Sequence, residues 1–269
     1  MTSLNPTDPG AAPAGAQAAP LVLVEDYHKT YKETVAVSGL SFAMPGGTIL
    51  GLVGPNGAGK TTTMRALVGI IPPTRGRLSV CGHDIVEEPV AAKRQLAYVP
   101  DDPKLFDALT VWEHLEFIAS AYHVPDFTAK AESLLQEFEL SEKRNADCQE
   151  LSRGMRQKVA ICCALLHDPK VILFDEPLTG LDPRGIRTIK AAMVRSARAG
   201  AAVILSSHLL SLVEDLCTHL LILQRGQRRF FGPVAEARAL YGQLGADSTL
   251  EEIFFRATEE TPEPPRIPA

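Results

Sequence analysis

The sequence predicts an α/β core interrupted by a helical subdomain. Three observations carry that expectation. The apolar run Thr48-Ile49-Leu50-Gly51-Leu52-Val53 leads into the glycine-rich segment Gly54-Pro55-Asn56-Gly57-Ala58-Gly59-Lys60-Thr61, and residues 62–68 then read as a helix that stops at Gly69. Over residues 102–166 the apolar positions recur at helical spacing. Beyond Pro169, short apolar runs at 171–174, 202–206 and 220–223 read as buried strands with helices between.

The elements come in this order. Residues 21–25 and 40–44 read as strands ahead of the glycine-rich segment, and 77–81 and 96–99 as strands after it. Thr110, with Glu113 three residues later, makes a capping box for a helix whose apolar stripe is Val111, Leu115, Ile118 and Tyr122. Leu134, Leu135 and Phe138 form a second stripe, and both stripes read as core packing. Ser152 is a good N-cap for an apolar helix running to Leu166.

Composition narrows the class. The 269 residues are 45% hydrophobic and 22% charged, as in a soluble globular protein. The net charge of −5 supplies no bulk positive field to hold nucleic acid. Cys81, Cys148, Cys162, Cys163 and Cys217 are odd in number and form no CxxC pair, so reduced thiols are expected, with Cys162 and Cys163 as packing residues. Residues 1–20 are rich in Ala, Pro and Gly, without the basic start and apolar centre of a signal peptide, and residues 258–269 are rich in Pro and Glu; both are expected to be disordered tails. No apolar run approaches the roughly eighteen residues of a membrane helix. Any membrane process would therefore need another chain to span the bilayer.

The glycine-rich segment fits the phosphate-binding pattern G-x-x-x-x-G-K-[ST] in the strand–loop–helix setting that gives it meaning. Glycines let the backbone curl so that several N–H groups face one polyphosphate, and the helix N-terminus adds partial positive charge. Lys60 is placed to reach the terminal phosphates, and the Thr61 hydroxyl to ligand Mg²⁺. The alternative is a plain glycine-rich turn. The strand 171–174 ends in Asp175 and Glu176, which places both carboxylates at the carboxyl edge of a sheet. Asp175 is placed to hold Mg²⁺ through water and Glu176 to accept a proton from an attacking water. Alone this pair would read as a solvated turn; beside a phosphate loop it reads as catalytic. The helix N-terminus at Ser152-Arg153-Gly154 is an anion site for this chain's own nucleotide or for a partner's.

The phosphate loop, Leu151-Ser152-Arg153-Gly154-Met155-Arg156-Gln157, the Asp175-Glu176 strand end, Gly180-Leu181-Asp182 and Ser206-Ser207-His208 occur in that order. Over residues 21–232 the chain resembles the nucleotide-binding domain of ABC transporters. The resemblance implies a P-loop NTPase core of ABC type over 21–235, a mixed sheet with an antiparallel β subdomain, plus a helical signature subdomain at about 102–166 and a helical extension at 236–257. It implies ATP and Mg²⁺ as cofactors, with ATP contacts from Gly54, Pro55, Asn56, Gly57, Ala58, Gly59, Lys60, Thr61 and Thr62. Tyr31 matches the aromatic that stacks on adenine. Ser152 and Gly154 match signature residues that bind ATP held by the opposite subunit, and Asp182 matches the loop joining the two sites across a dimer. Lys60, Glu176 and His208 are implied in catalysis, His208 contacting the γ-phosphate. Asp101 stands where the family usually has a metal-touching Gln, and Arg153 and Met155 stand where Gly and Gln are commoner.

Tyr98-Val99-Pro100-Asp101, the run Gly154 to Lys158 and Ser248-Thr249-Leu250-Glu251-Glu252-Ile253-Phe254 resemble the ATPases of ABC-2-type exporters. That implies a homodimer at the cytoplasmic face of the membrane, partnered by a separate transmembrane permease and by no nucleic acid. An importer ATPase and a soluble ABC protein remain as alternatives. Leu105, Phe106 and Trp112, beside Asp101, are candidate apolar groups for docking the permease, or else they fill the core of the helical subdomain.

Overall fold

The computed structural model describes residues 19–241 and 249–259. The two expected tails lie outside the described residues apart from positions 19–20 and 258–259, as does Ser248.

Among the described residues two sheets form. β1 (Val22–Tyr31) and β2 (Thr34–Met44) make a long hairpin. With β4 (Arg75–Val80) and β5 (His83–Asp84) they build an antiparallel sheet in the order β2-β1-β4-β5. Both hairpin strands outrun the expected 21–25 and 40–44. Register shifts between Val24 and Tyr27, and again up to Thr30, break the period-two alternation, and the added length carries the polar residues His28, Lys29 and Thr30.

The larger sheet holds β3 (Ile49–Val53), β6 (Leu96–Val99), β7 (Val171–Asp175), β8 (Ala202–Ser206), β9 (His219–Gln224) and β10 (Gln227–Pro233). Its order is β10-β9-β3-β8-β7-β6, parallel except for the β9–β10 hairpin. β3, β7 and β8 are buried at every position, as continuous apolar runs in a parallel sheet must be. α1 (Lys60–Leu67) follows β3, and α2 (Pro89–Arg94) precedes β6. α6 (Pro183–Arg198) and α7 (Leu210–Leu216) flank β8 in sequence. α8 (Val234–Tyr241) and α9 (Leu250–Thr258) pack on each other, and α9 packs on α7, burying Ala237, Leu250 and Ile253.

The helical subdomain comprises α3 (Val111–Tyr122), α4 (Phe127–Glu137) and α5 (Arg153–Leu166). The capping box forms: Thr110 Oγ1 accepts from Glu113 N–H at 3.2 Å, and Glu113 Oε2 accepts from Thr110 N–H at 2.8 Å. Val111, Leu115, Leu134, Leu135 and Phe138 are buried in one cluster with Ile161 and Cys162. Burying Phe138 contributes roughly 1.5–3 kcal/mol. Trp112 also belongs to this packing: Phe127 lies 5.5 Å from its ring, and the Arg144 guanidinium 3.5 Å above it. The thiols are packing groups. Burial pushes Cys148 up to about 11 and Cys163 and Cys217 up to about 12, far from thiolate chemistry.

His167, just past α5, stacks on Tyr122 at 3.8 Å, and its Nδ1 is enclosed without a hydrogen-bond partner among the described residues. Burial, reinforced by the Lys130 ammonium and opposed by the Asp168 carboxylate, holds the imidazole down at about 4 against an ordinary 6.5. The folded chain thus binds this proton less readily than the unfolded one. Its contribution to stability is fully present above pH 6.5 and is lost as pH falls towards 4. Discounted for the ring's partial exposure, the loss is roughly 1–2 kcal/mol. Thermal denaturation at pH 7 and pH 4.5 should show a smaller drop for His167→Phe than for the parent; equal drops would assign the acid sensitivity elsewhere.

Candidate functional site

The phosphate loop leaves β3 at the centre of the sheet and is shaped by strands far away in sequence. A Cβ on Gly54 would lie 2.4 Å from the Leu223 carbonyl oxygen of β9. Gly59 has φ +103° and is 2.8 Å, by the same measure, from the Ala36 carbonyl oxygen of β2. Gly226 N–H donates to the Ala58 carbonyl at 3.1 Å, and Ala58 N–H to that of Pro55 at 3.1 Å. Pro55, Asn56 and Gly57 form an exposed rim, while Ala58 and Gly59 are buried. The helix starts at Lys60, ahead of the expected 62, because Gly59 in the left-handed region turns the chain directly into it. Lys60, Thr61 and Thr62 are therefore first-turn residues. Lys60 Nζ donates to the Gly54 carbonyl at 2.6 Å and the Pro55 carbonyl at 3.3 Å. Burial lowers its proton affinity, and the Glu176 and Asp175 carboxylates pull it back up.

Strand register assembles the carboxylates. β7 lies between β6 and β8, with Phe174 opposite Val99 and Asp175 opposite Ser206. Pro100-Asp101, just past β6, and Ser207-His208, just past β8, are thereby carried to the level of Asp175 and Glu176. His208 Nδ1 lies 2.9 Å from Glu176 Oε2, and Ser207 Oγ donates to the same oxygen at 3.3 Å. Glu176 has φ +48°, a conformation that costs a non-glycine residue about 1–3 kcal/mol. Its N–H is bonded to the Ser206 carbonyl at 2.9 Å, and its carbonyl accepts from Thr179 Oγ1 at 3.2 Å, which holds the turn. Asp175 is buried and accepts from the Tyr98 hydroxyl at 3.3 Å. Burial and the Asp175 charge push Tyr98 up to about 12, so it remains a donor. Thr61, Asp101, Asp175 and Glu176 line one cleft of about 830 Å³ with Tyr98 and Arg65.

The other expected residues lie apart. Ser152 and Gly154 do not line that cleft. Ser152 caps α5, its Oγ accepting from Met155 N–H at 3.3 Å. A Cβ on Gly154 would be 2.7 Å from the Gly180 carbonyl oxygen, so this glycine is needed for close packing. Asp182 caps α6, accepting from Gly185 N–H at 2.9 Å. Tyr31 is 45% exposed at the end of β1, with the Lys29 ammonium 5.0 Å from its ring centroid. Asp101, which is in the cleft, accepts from Arg153 Nη2 at 3.1 Å.

Sequence motifs alone do not single out Tyr98, Ser207 or Arg65 as parts of the site. For Ser207 a signal exists: it directly follows the run 202–206 and precedes His208. Nothing in the sequence marks the Arg153–Asp101 contact.

Backbone donors around a central loop, an ammonium, hydroxyl and carboxylate oxygens suited to a hard cation, and a hydrogen-bonded carboxylate base define a phosphate-loop nucleotide hydrolase. Residues 37–179 match the ABC transporter family. The ABC-type transporter ATP-binding protein EcsA of Bacillus subtilis is 34% identical over 242 residues, which is 89% of this chain and 97% of that protein. The Nod factor export ATP-binding protein I of Ralstonia nicotianae is 35% identical over 80% of this chain and 67% of its own. A solved structure of the ATP-binding subunit of an ABC transporter superposes with a TM-score of 0.85 at 33% identity, covering 89% of this chain and all of that one. The chain belongs to the ABC transporter family. It is an ATP-binding subunit of that family, an ATPase coupled to transport.

Proposed function

We propose that this chain closes as a homodimer on two ATP–Mg²⁺ and drives export through a separate transmembrane permease at the cytoplasmic face of the membrane. The observation that carries the hydrolytic reading is the Glu176–His208 contact at the edge of the phosphate-loop sheet. The export reading is supported by similarity to a Nod factor export ATP-binding protein. Among the described residues no helix is long and apolar enough to cross a membrane, which supports a separate permease.

Position in the cleft supports the roles of Thr61, Asp101, Asp175 and Glu176, and family resemblance those of the remaining residues. The loop N–H groups from Gly54 to Thr62 and the Lys60 ammonium bind the phosphates. The all-oxygen set of Thr61, Asp175 and Asp101 fits Mg²⁺, with Asp175 acting through water. When bound, Mg²⁺ neutralises charge on the phosphates and orients them. Glu176 takes the proton of the attacking water once its Oε2 is freed from His208, whose ring, 68% exposed, can turn to the γ-phosphate. Tyr31 stacks on adenine. Ser152 and Gly154 meet the ATP of the opposite subunit, and Asp182 links the two sites.

The permease docks in an apolar groove beside Asp101. Phe106, 57% exposed, and Leu105 line it with Phe117, Ile118 and Cys163. Trp112 does not line this groove. Pull-down of Glu176→Gln from native membranes with ATP and Mg²⁺, followed by mass spectrometry, should recover a polytopic membrane protein in near-equal amount, and Phe106→Ala should release most of it. Recovery of ribosomes, or of this chain alone, would overturn the transport partnership.

A further inference from the structure

Two of the positions that depart from the family's commoner residues, Asp101 and Arg153, touch each other. Arg153 Nη2 donates to Asp101 Oδ1 at 3.1 Å, across 52 residues of chain. Asp101 lines the cleft that also holds Thr61, Asp175 and Glu176. Arg153 is the first residue of α5, next to Ser152, and its stem lies along Gly180: a Cβ there would be 3.5 Å from Arg153 Cδ. One side chain therefore joins the metal-facing cleft, the α5 N-terminus and the segment leading to Asp182. The side chains of both partners are about half exposed, 49% for Arg153 and 51% for Asp101, so solvent keeps the pair weak. Asp102 is engaged by Lys104 and so does not compete for Arg153 at bonding distance.

We propose that Asp101 and Arg153 form a metal-sensitive latch. A divalent cation entering the cleft with nucleotide competes with Arg153 for the Asp101 carboxylate. Two positive charges on a compact ion outbid one delocalised over a half-exposed guanidinium. The freed Arg153 releases the α5 N-terminus from the cleft edge, so metal loading in one ATP site changes the surface that meets the opposite subunit. This rests on the reading of Asp101 as a metal-facing residue.

The test is Mn²⁺ binding in the presence of a non-hydrolysable ATP analogue, with free Mn²⁺ followed by electron paramagnetic resonance. Asp101→Asn should weaken binding. Arg153→Gln should tighten it about two- to fivefold, the range a half-exposed ion pair supplies. Arg153→Lys, which keeps the charge, should stay close to the parent. Arg153→Gln in the Asp101→Asn background should produce no tightening. Equal tightening in both backgrounds would reduce the effect to general charge repulsion and overturn the latch, as would no tightening in either. Unchanged Mn²⁺ affinity in Asp101→Asn would instead remove the metal-facing reading of Asp101, and the latch with it.

Discussion

Replacing Glu176 by glutamine should slow ATP hydrolysis by about 10²–10⁴-fold, the contribution of a positioned general base, while ATP affinity stays within a few-fold of the parent. Glutamine keeps the shape of the side chain and the left-handed backbone at φ +48° but cannot take a proton. The carboxylate oxygen at issue, Oε2, meets His208 at 2.9 Å and Ser207 at 3.3 Å, so the substitution disturbs two polar contacts and no apolar packing. The phosphate-binding groups are a separate set, built on β3 and α1, which is why binding and turnover should come apart. Phosphate release and equilibrium dialysis of ATP measure the two halves. Sedimentation in ATP should show a dimer that persists in this variant and decays in the parent as ATP is consumed. Hydrolysis at the parental rate would remove Glu176 from the role of base.

The parts of the site legible in sequence are those written in contiguous residues. The glycine-rich loop, the apolar strand ending in Asp175-Glu176, and the Thr110 and Ser152 caps are local patterns with local physical causes. The hairpin of β1 and β2 was only half legible, because its bulges scramble the alternation that marks a strand. β10 begins Gln227-Arg228-Arg229, all exposed on an edge, and its apolar part is only Phe230-Phe231, too short to mark a strand. The contacts that tune the site are illegible for a different reason. Tyr98 meets Asp175 across 77 residues and Arg153 meets Asp101 across 52, and such pairings exist only once the order β8-β7-β6 is known. Trp112 shows the converse: an aromatic near Asp101 in sequence faces Phe127 and Arg144, because helical spacing turns it away from the groove that Phe106 lines.

The phosphate loop offers the sharpest separation of causes. Gly59→Ala should destabilise the protein by about 2–5 kcal/mol, combining the strain of a side chain at φ +103° with displacement of neighbouring backbone. The neighbour is the Ala36 carbonyl at 2.8 Å, held in β2 and unable to yield without moving the hairpin. ATP affinity should fall at least tenfold, because Gly59 is also the residue from which α1 starts, its carbonyl accepting from Thr63 N–H and Oγ1, both at 2.9 Å. Gly57 supplies the control within the same loop. It too has positive φ, +78°, but among the described residues nothing lies within 4 Å of where its Cβ would stand, so Gly57→Ala should cost only about 1 kcal/mol. Urea denaturation of the two variants, side by side, compares conformational strain alone with strain plus collision. Equal costs would show that the close approach of β2 is irrelevant. The two glycines the motif names, Gly54 and Gly59, are those with distant backbone against them, while Gly57, a free position of the motif, faces open space. A pattern read as phosphate chemistry is thus equally a record of how β2 and β9 press on the loop that β3 presents.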